Sequence, residues 1–181
     1  MTITGQLLVA TPSLHDPNFH RTVVLMLEHQ PFGALGVVLN RPSETPIGDM
    51  LPAWEQRSST PRLVFVGGPS EPGGLIAVGR QFADEVEGWR EVAPGISLVD
   101  LGMSADVMPD DAGVVRVFSG YAGWTADQLE MEIEEGAWWV LDADPSDVLT
   151  DDPDGLWRLV VGRQAGQMAL LRDYPDDPAL N

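Results

Sequence analysis

The sequence predicts an α+β fold in a single domain covering residues 1–181. Three observations carry that expectation. Short apolar runs recur from Leu7 to Phe118, each bounded by Gly, Pro, Asn or Asp, as strands are. One amphipathic stretch with start and stop signals follows them at 125–135, as a helix does. No βαβ alternation, fixed-period repeat or long linker divides the chain.

The elements follow in order. Leu7 to Ala10 reads as a strand stopped by Thr11-Pro12. Residues 13–21 are polar, and Asp16-Pro17-Asn18 is a turn signal, because Asp and Asn bond nearby backbone and Pro fixes φ. The runs 22–28 and 34–40 flank Gln30-Pro31-Phe32-Gly33 and predict a hairpin over 22–40. Thr45 and Pro46 read as N-cap and first residue of a helix with Ile47, Met50, Leu51 and Trp54 on one face. Further strands are expected at 62–66, 75–78, 96–101 and 114–118, while 80–94 has no clear period.

The best helix is 125–135. Thr125 and Gln128 have capping-box spacing, and Trp124 and Leu129 have the spacing of a hydrophobic staple. Ala126, Leu129 and Ile133 would form its buried stripe, and Gly136 would end it in the left-handed conformation. A strand at 138–141 and a helical turn at 145–149 follow. Residues 156–161 fit helix or strand, and 173–181 is acidic, Pro-rich and expected to be irregular.

Composition restricts function. The chain has no cysteine, which excludes disulfides, thiolate nucleophiles and Cys-ligated metals. Acidic residues number 28 against 10 basic ones, all arginine, for a formal charge of −18. Such a charge repels phosphate backbones and anionic lipid surfaces, so neither direct nucleic-acid binding nor membrane binding is expected. The first residues lack a basic signal-peptide region, and no apolar run approaches the roughly 20 residues of a spanning helix. The expected location is cytoplasmic.

Four constellations could carry chemistry. His15, Asp16, His20 and Arg21, with Glu28 and His29 after the next strand, offer imidazoles and carboxylates but no metal-ligand register, so no metal is expected. Arg21 precedes an apolar strand, where it could pair with Asp16 or bind a carboxylate or phosphate in a cleft. Arg41, held extended by Pro42, could likewise recognise an anion. Gly67-Gly68 after a strand could form a backbone anion nest, although Pro69 lacks an N–H and the spacing is not that of a Walker loop. Ser119 is not in a nucleophile elbow, and Tyr121 and Trp124 could line a pocket, although the staple suffices for Trp124.

Taken in order, Gly5-Gln6-Leu7-Leu8-Val9-Ala10-Thr11-Pro12, Asp16-Pro17-Asn18-Phe19, Arg21-Thr22-Val23-Val24-Leu25, Glu28-His29, Gly33 to Pro42, Gly67-Gly68-Pro69, Gly120-Tyr121-Ala122-Gly123-Trp124, Gln128-Leu129-Glu130 and Ala137-Trp138 resemble the YqgE/AlgH family of bacterial proteins. The resemblance implies a mostly antiparallel, branched sheet curled into a pseudo-barrel with a few helices. It also implies a cytoplasmic protein with a link to transcriptional regulation and no established catalytic activity. Its pattern includes Asp16, Arg21, Asn40 and Arg41 but not His15 or His20. Ser70 and Thr125 depart from it, standing where the family more often has an apolar residue and Gly.

The resulting expectation is a binding or regulatory domain acting through a protein partner or small ligand, with no cofactor and no catalytic residue. Its candidate binding residues are Asp16, Arg21, Asn40, Arg41, Gly67, Gly68, Tyr121 and Trp124. The alternative is a hydrolase-type enzyme built on Asp16, Arg21, Asn40 and Arg41.

Overall fold

The hairpin organises the first half of the sheet. In the computed structural model, which describes residues 2–176, β1 (Leu7–Ala10), β2 (Val23–Gln30) and β3 (Gly33–Val38) run antiparallel. The apolar run of β2 does not alternate because both of its faces are covered. Val23, Leu25 and Leu27 join a cluster with Trp157, Val160 and Val161, whereas Val24 and Met26 join one with Trp124, Leu129 and Trp138.

After Arg41 come β4 (Pro42–Pro46), the single-turn helix α1 (Ile47–Met50) and β5 (Leu63–Val66). Then β6 (Ser70–Gln81), β7 (Trp89–Ala93) and β8 (Ile96–Val99) form the second half of the sheet. The two halves share β9 (Gly113–Thr125). Its last residues pair with β3, and the rest pair with β6, both antiparallel. At Phe118 and Ser119 it also takes β5 as a parallel neighbour, which branches the sheet. Helix α2 (Gln128–Glu134), β10 (Trp138–Leu141) beside β1, α3 (Pro145–Val148) and α4 (Leu156–Gly162) complete the order. The result is one ten-stranded, branched and curled sheet, a half-barrel with a few helices, as expected.

Two features secure the branch. A Cβ on Gly67 would lie well inside contact distance of the Gly120 carbonyl oxygen, and one on Gly68 would meet the Tyr121 backbone. Gly120 itself has φ +75°, a conformation that glycine adopts without a Cβ penalty. The second feature is Arg116, a buried cation on β9. It donates to the carbonyls of Thr60 at 2.8 Å and Thr150 at 2.6 Å, with its guanidinium 4.2 Å from the Phe65 ring centre. Burial pushes its pKa down to about 10, so it stays charged at neutral pH.

The structure differs from the sequence expectation at several elements. Thr45 lies in β4, not at a helix cap, because the Ile47 N–H continues the β4–β5 pairing by donating to the Arg62 carbonyl. The helix lasts only from Ile47 to Met50, and Pro52, which cannot donate, starts a 3-10 helix at Pro52–Arg57. Ile47 and Trp54 are buried but Met50 is exposed. The strand expected at 114–118 runs on to Thr125, so α2 starts at Gln128 with Asp127 as cap, φ 64°. Half of the capping box survives, since the Gln128 Oε1 accepts from the Thr125 N–H at 3.0 Å, and Ala126 is exposed.

Leu129 is buried and Gly136 adopts φ +82°, as expected for the stripe and the stop. The stretch 156–161 is helical, and 80–94 contains β7. Of 173–181, Asp173 ends a 3-10 helix at Gly166–Asp173, 174–176 are irregular, and 177–181 lie outside the described residues. Among the described residues no helix is long and apolar enough to cross a membrane.

Gly67→Ala is expected to lower the unfolding free energy by about 1–3 kcal/mol through overpacking. Gly73→Ala, whose added Cβ meets nothing within 4 Å, should leave it unchanged within about 0.5 kcal/mol. Urea denaturation of both variants checks this, and an unaffected Gly67→Ala would contradict the close-packed branch.

Candidate functional site

The polar turn before β2 is built by its own backbone. The Asp16 carboxylate accepts from the Asn18 N–H at 2.8 Å, and the Asp16 carbonyl accepts from Phe19 and His20 at 2.9 and 2.7 Å. The turn ends at Arg21 with φ 60°, a left-handed conformation uncommon for a residue with a long side chain. Asn40, just past β3, holds that conformation. Its Nδ2 donates to the Arg21 carbonyl at 2.9 Å, and its Oδ1 accepts from the Val23 N–H at 3.0 Å. Both ends of the amide are therefore used on either side of the strained residue.

Arg41 ties the same turn down. Its guanidinium donates to the carbonyls of Asn18 at 2.6 Å and His20 at 3.1 Å. Burial holds its pKa below the ordinary arginine value, with Asp16 opposing. Arg21 projects onto α4, its guanidinium 3.8 Å from the Trp157 ring centre, a cation–π distance. Its Nη1 donates to the Tyr174 carbonyl at 2.9 Å and its Nε meets the Asp176 carboxylate at 2.8 Å. Burial lowers the Arg21 pKa, Asp176 opposes that, and Arg158 pushes it further down.

These groups line one cleft of about 570 Å³. His20, Arg21, Asn40 and Arg41 come from the hairpin end, and Pro153, Asp154, Trp157 and Arg158 from α4 and the turn before it. Asp176 completes the lining. Three arginines thus share one concavity of an otherwise acidic chain.

The other candidates lie elsewhere. Tyr121 and Trp124 line a groove of about 380 Å³ with Phe32, Glu28 and Gln30 at the hairpin tip. Trp124 is mostly buried against Phe19 and Trp138. Glu132 lies beside the same aromatic group, and burial raises its pKa. The Gly67 N–H is committed to the Ser119 carbonyl at 2.8 Å, and the Gly67 carbonyl accepts from Val38 at 2.8 Å. Both glycines pack the sheet branch, and the Gly67 N–H is not free for a backbone nest. Asp16 supports the turn from outside the cleft lining.

The histidines are dispersed. His15 stacks on His20 at 6.0 Å, and His29 is on the far side of the hairpin, bonding Glu130 at 2.6 Å and the Ile3 N–H at 3.2 Å. Among the described residues no group of three or more His, Asp or Glu is placed to hold a metal ion.

A sequence model of the AlgH-like family matches residues 7–169. The chain belongs to that family. It is similar to a UPF0301 protein of Streptomyces coelicolor, 46% identical over 99% of this chain and 96% of that one. A UPF0301 protein of Thermobifida fusca is 42% identical over 100% of this chain and 96% of its own. The crystal structure of a Corynebacterium diphtheriae protein superposes with a TM-score of 0.88 at 30% identity, covering 96% and 93% of the two chains. The solution structure of the Pseudomonas aeruginosa AlgH protein gives a TM-score of 0.70 at 25% identity, covering 96% and 94%.

In this AlgH-like chain the sequence-derived set separates into Arg21, Asn40 and Arg41 in the cleft, Asp16 in the turn beside it, Tyr121 and Trp124 in the groove, and Gly67 and Gly68 at the sheet branch. Sequence reasoning missed Trp157, Arg158, Tyr174 and Asp176. A helical reading of 156–161 would have found the first two, because Leu156, Trp157, Val160 and Val161 are buried while Arg158 and Leu159 are exposed. Nothing in the sequence relates the segment at 174–176 to Arg21.

Asn40→Ala removes the partners of the Arg21 carbonyl and the Val23 N–H, and should lower stability by about 1–3 kcal/mol. Asn40→Asp should also destabilise, since a carboxylate cannot donate to the Arg21 carbonyl. Chemical denaturation measures both, and wild-type stability in either variant would show that the amide is not what holds Arg21.

Proposed function

We propose that this AlgH-like chain is a non-enzymatic binding domain whose arginine cleft takes an anionic group. The group is a carboxylate or phosphate carried by a small ligand or a partner segment. The observation that carries the reading is Arg21 itself. Its guanidinium rests on Trp157 and is already directed at a carboxylate, that of Asp176. A planar guanidinium oriented in this way matches carboxylate and phosphate geometry. Arg158 adds a third positive charge to those of Arg21 and Arg41.

The net charge of −18 opposes this at long range but not at contact. At physiological salt, screening limits distant charges to about 8 Å, so a compact anion inside the cleft responds mainly to the nearby arginines. A long polyanion would lie against the acidic surface as well, which disfavours duplex DNA. The hydrolase alternative has less support. Both ends of the Asn40 amide are spent on backbone, Asp16 is in a turn, and the Arg41 guanidinium is donated to carbonyls.

Inorganic pyrophosphate is a suitable probe, and two charge-assisted contacts correspond to a dissociation constant of about 0.1–1 mM. Calorimetric titration at about 0.15 M salt should show saturable binding that Arg21→Gln weakens at least tenfold, with no binding to a duplex DNA fragment. Pyrophosphate binding that ignores Arg21→Gln, or tight DNA binding that falls steeply with salt, would contradict the proposal.

A further inference from the structure

The cleft is not open to solvent along its whole length, because the chain reaches back into it. We infer that the acidic segment following the last 3-10 helix, through Tyr174 and Asp176, is a built-in competitor that an anionic ligand must displace. The inference rests on the anion-binding reading above and adds its regulation.

The segment reproduces what an external ligand would supply. The Tyr174 carbonyl accepts from the Arg21 Nη1 at 2.9 Å, and the Asp176 carboxylate meets the Nε at 2.8 Å. One arginine thus receives a neutral acceptor and an anion from the same short stretch. The intervening Pro175 has a fixed φ and no N–H, which limits the conformations lost when Asp176 docks.

The attachment is firm on one side and weak on the other. Met168 and Leu171 of the 3-10 helix pack against the main apolar cluster, and the Tyr174 N–H returns to the Leu171 carbonyl at 2.9 Å. The carboxylate is therefore tethered a few residues from a fixed anchor, which corresponds to an effective concentration in about the millimolar range. The docked carboxylate remains accessible: the Asp176 side chain is 71% exposed, against 15% for Arg21. An ion pair with one partner in solvent is weak and salt-sensitive. Docking is thus favoured by the tether and still reversible.

A competitor of this kind reduces ligand affinity by the fraction of molecules in which the cleft is free. A segment docked in about four molecules of five weakens the apparent affinity about fivefold. The effect should fall with ionic strength, as the screened Asp176 contact weakens.

The test compares the full chain, a chain stopped after Arg172 and the single substitution Asp176→Asn. Each is titrated with inorganic pyrophosphate, and a synthetic peptide of residues 172–181 is then added to the shortened chain. The expected result is about fivefold tighter pyrophosphate binding by the shortened chain and about threefold by Asp176→Asn. The peptide should displace pyrophosphate and shift the Arg21 Nε–H NMR signal. Equal affinity in all three chains, with Arg21→Gln still abolishing binding, would overturn the competitor and leave the anion cleft standing. If no chain binds pyrophosphate, the anion reading fails, and the peptide decides the competitor alone. A shift of the Arg21 signal on adding peptide to the shortened chain would uphold it, and an unchanged signal would overturn it.

Discussion

Strand β9 is the constraint on which the other elements depend. Val115 and Val117 enter the cluster around Trp54 and Trp89, Phe118 enters the one around Trp157, and Ala122 and Trp124 enter the third beside Trp138. No neighbouring strand contributes to all three in this way. Its hydrogen-bonding edges are shared among β3, β5 and β6, so the chain must supply backbone at close approach where they meet. Gly67, Gly68 and Gly120 meet that need, and the buried Arg116 fixes the same strand to the loops around Thr60 and Thr150.

The cleft follows from this frame by short steps. At the open end of the hairpin, Val38 donates to the Gly67 carbonyl, Leu39 to the Val23 carbonyl and Val66 to the Arg41 carbonyl, which fixes Asn40 between them. Asn40 holds Arg21 in a left-handed conformation, and Arg41 fastens the turn that precedes it. Backbone strain of this sort persists where the surroundings over-determine it, and it concentrates at sites that present a side chain. Here the presented side chain is a guanidinium on an indole face. α4 supplies that face because its apolar residues pack on β2 and leave Arg158 at the rim.

Much of the sheet was legible in the sequence because apolar runs and Gly/Pro punctuation are local signals. The hairpin over 22–40, the strand at 138–141 and the stop at Gly136 follow from them. The helix expected from Thr45 failed because long-range pairing of 42–46 with β5 outweighed a local cap signal. The helix expected from Thr125 starts late because β3 and β6 hold 119–125 in a strand. Arg21, Asn40 and Arg41 were recognisable as a group because they flank one hairpin. Tyr121 and the glycines were grouped with them by motif, whereas Tyr121 lines the separate groove at the hairpin tip. Asp176 was invisible as a partner, since its contact with Arg21 bridges the length of the chain.

The central claim is that one cleft, at the junction of the hairpin end and α4, receives an anion. Chemical-shift mapping of the isotopically labelled full chain during addition of inorganic pyrophosphate tests it most directly. The account predicts saturable shifts of the Arg21, Arg41 and Arg158 side-chain N–H signals and of the Trp157 indole. Shifts confined to Tyr121, Trp124 and Phe32, or no saturable shifts anywhere, would contradict it.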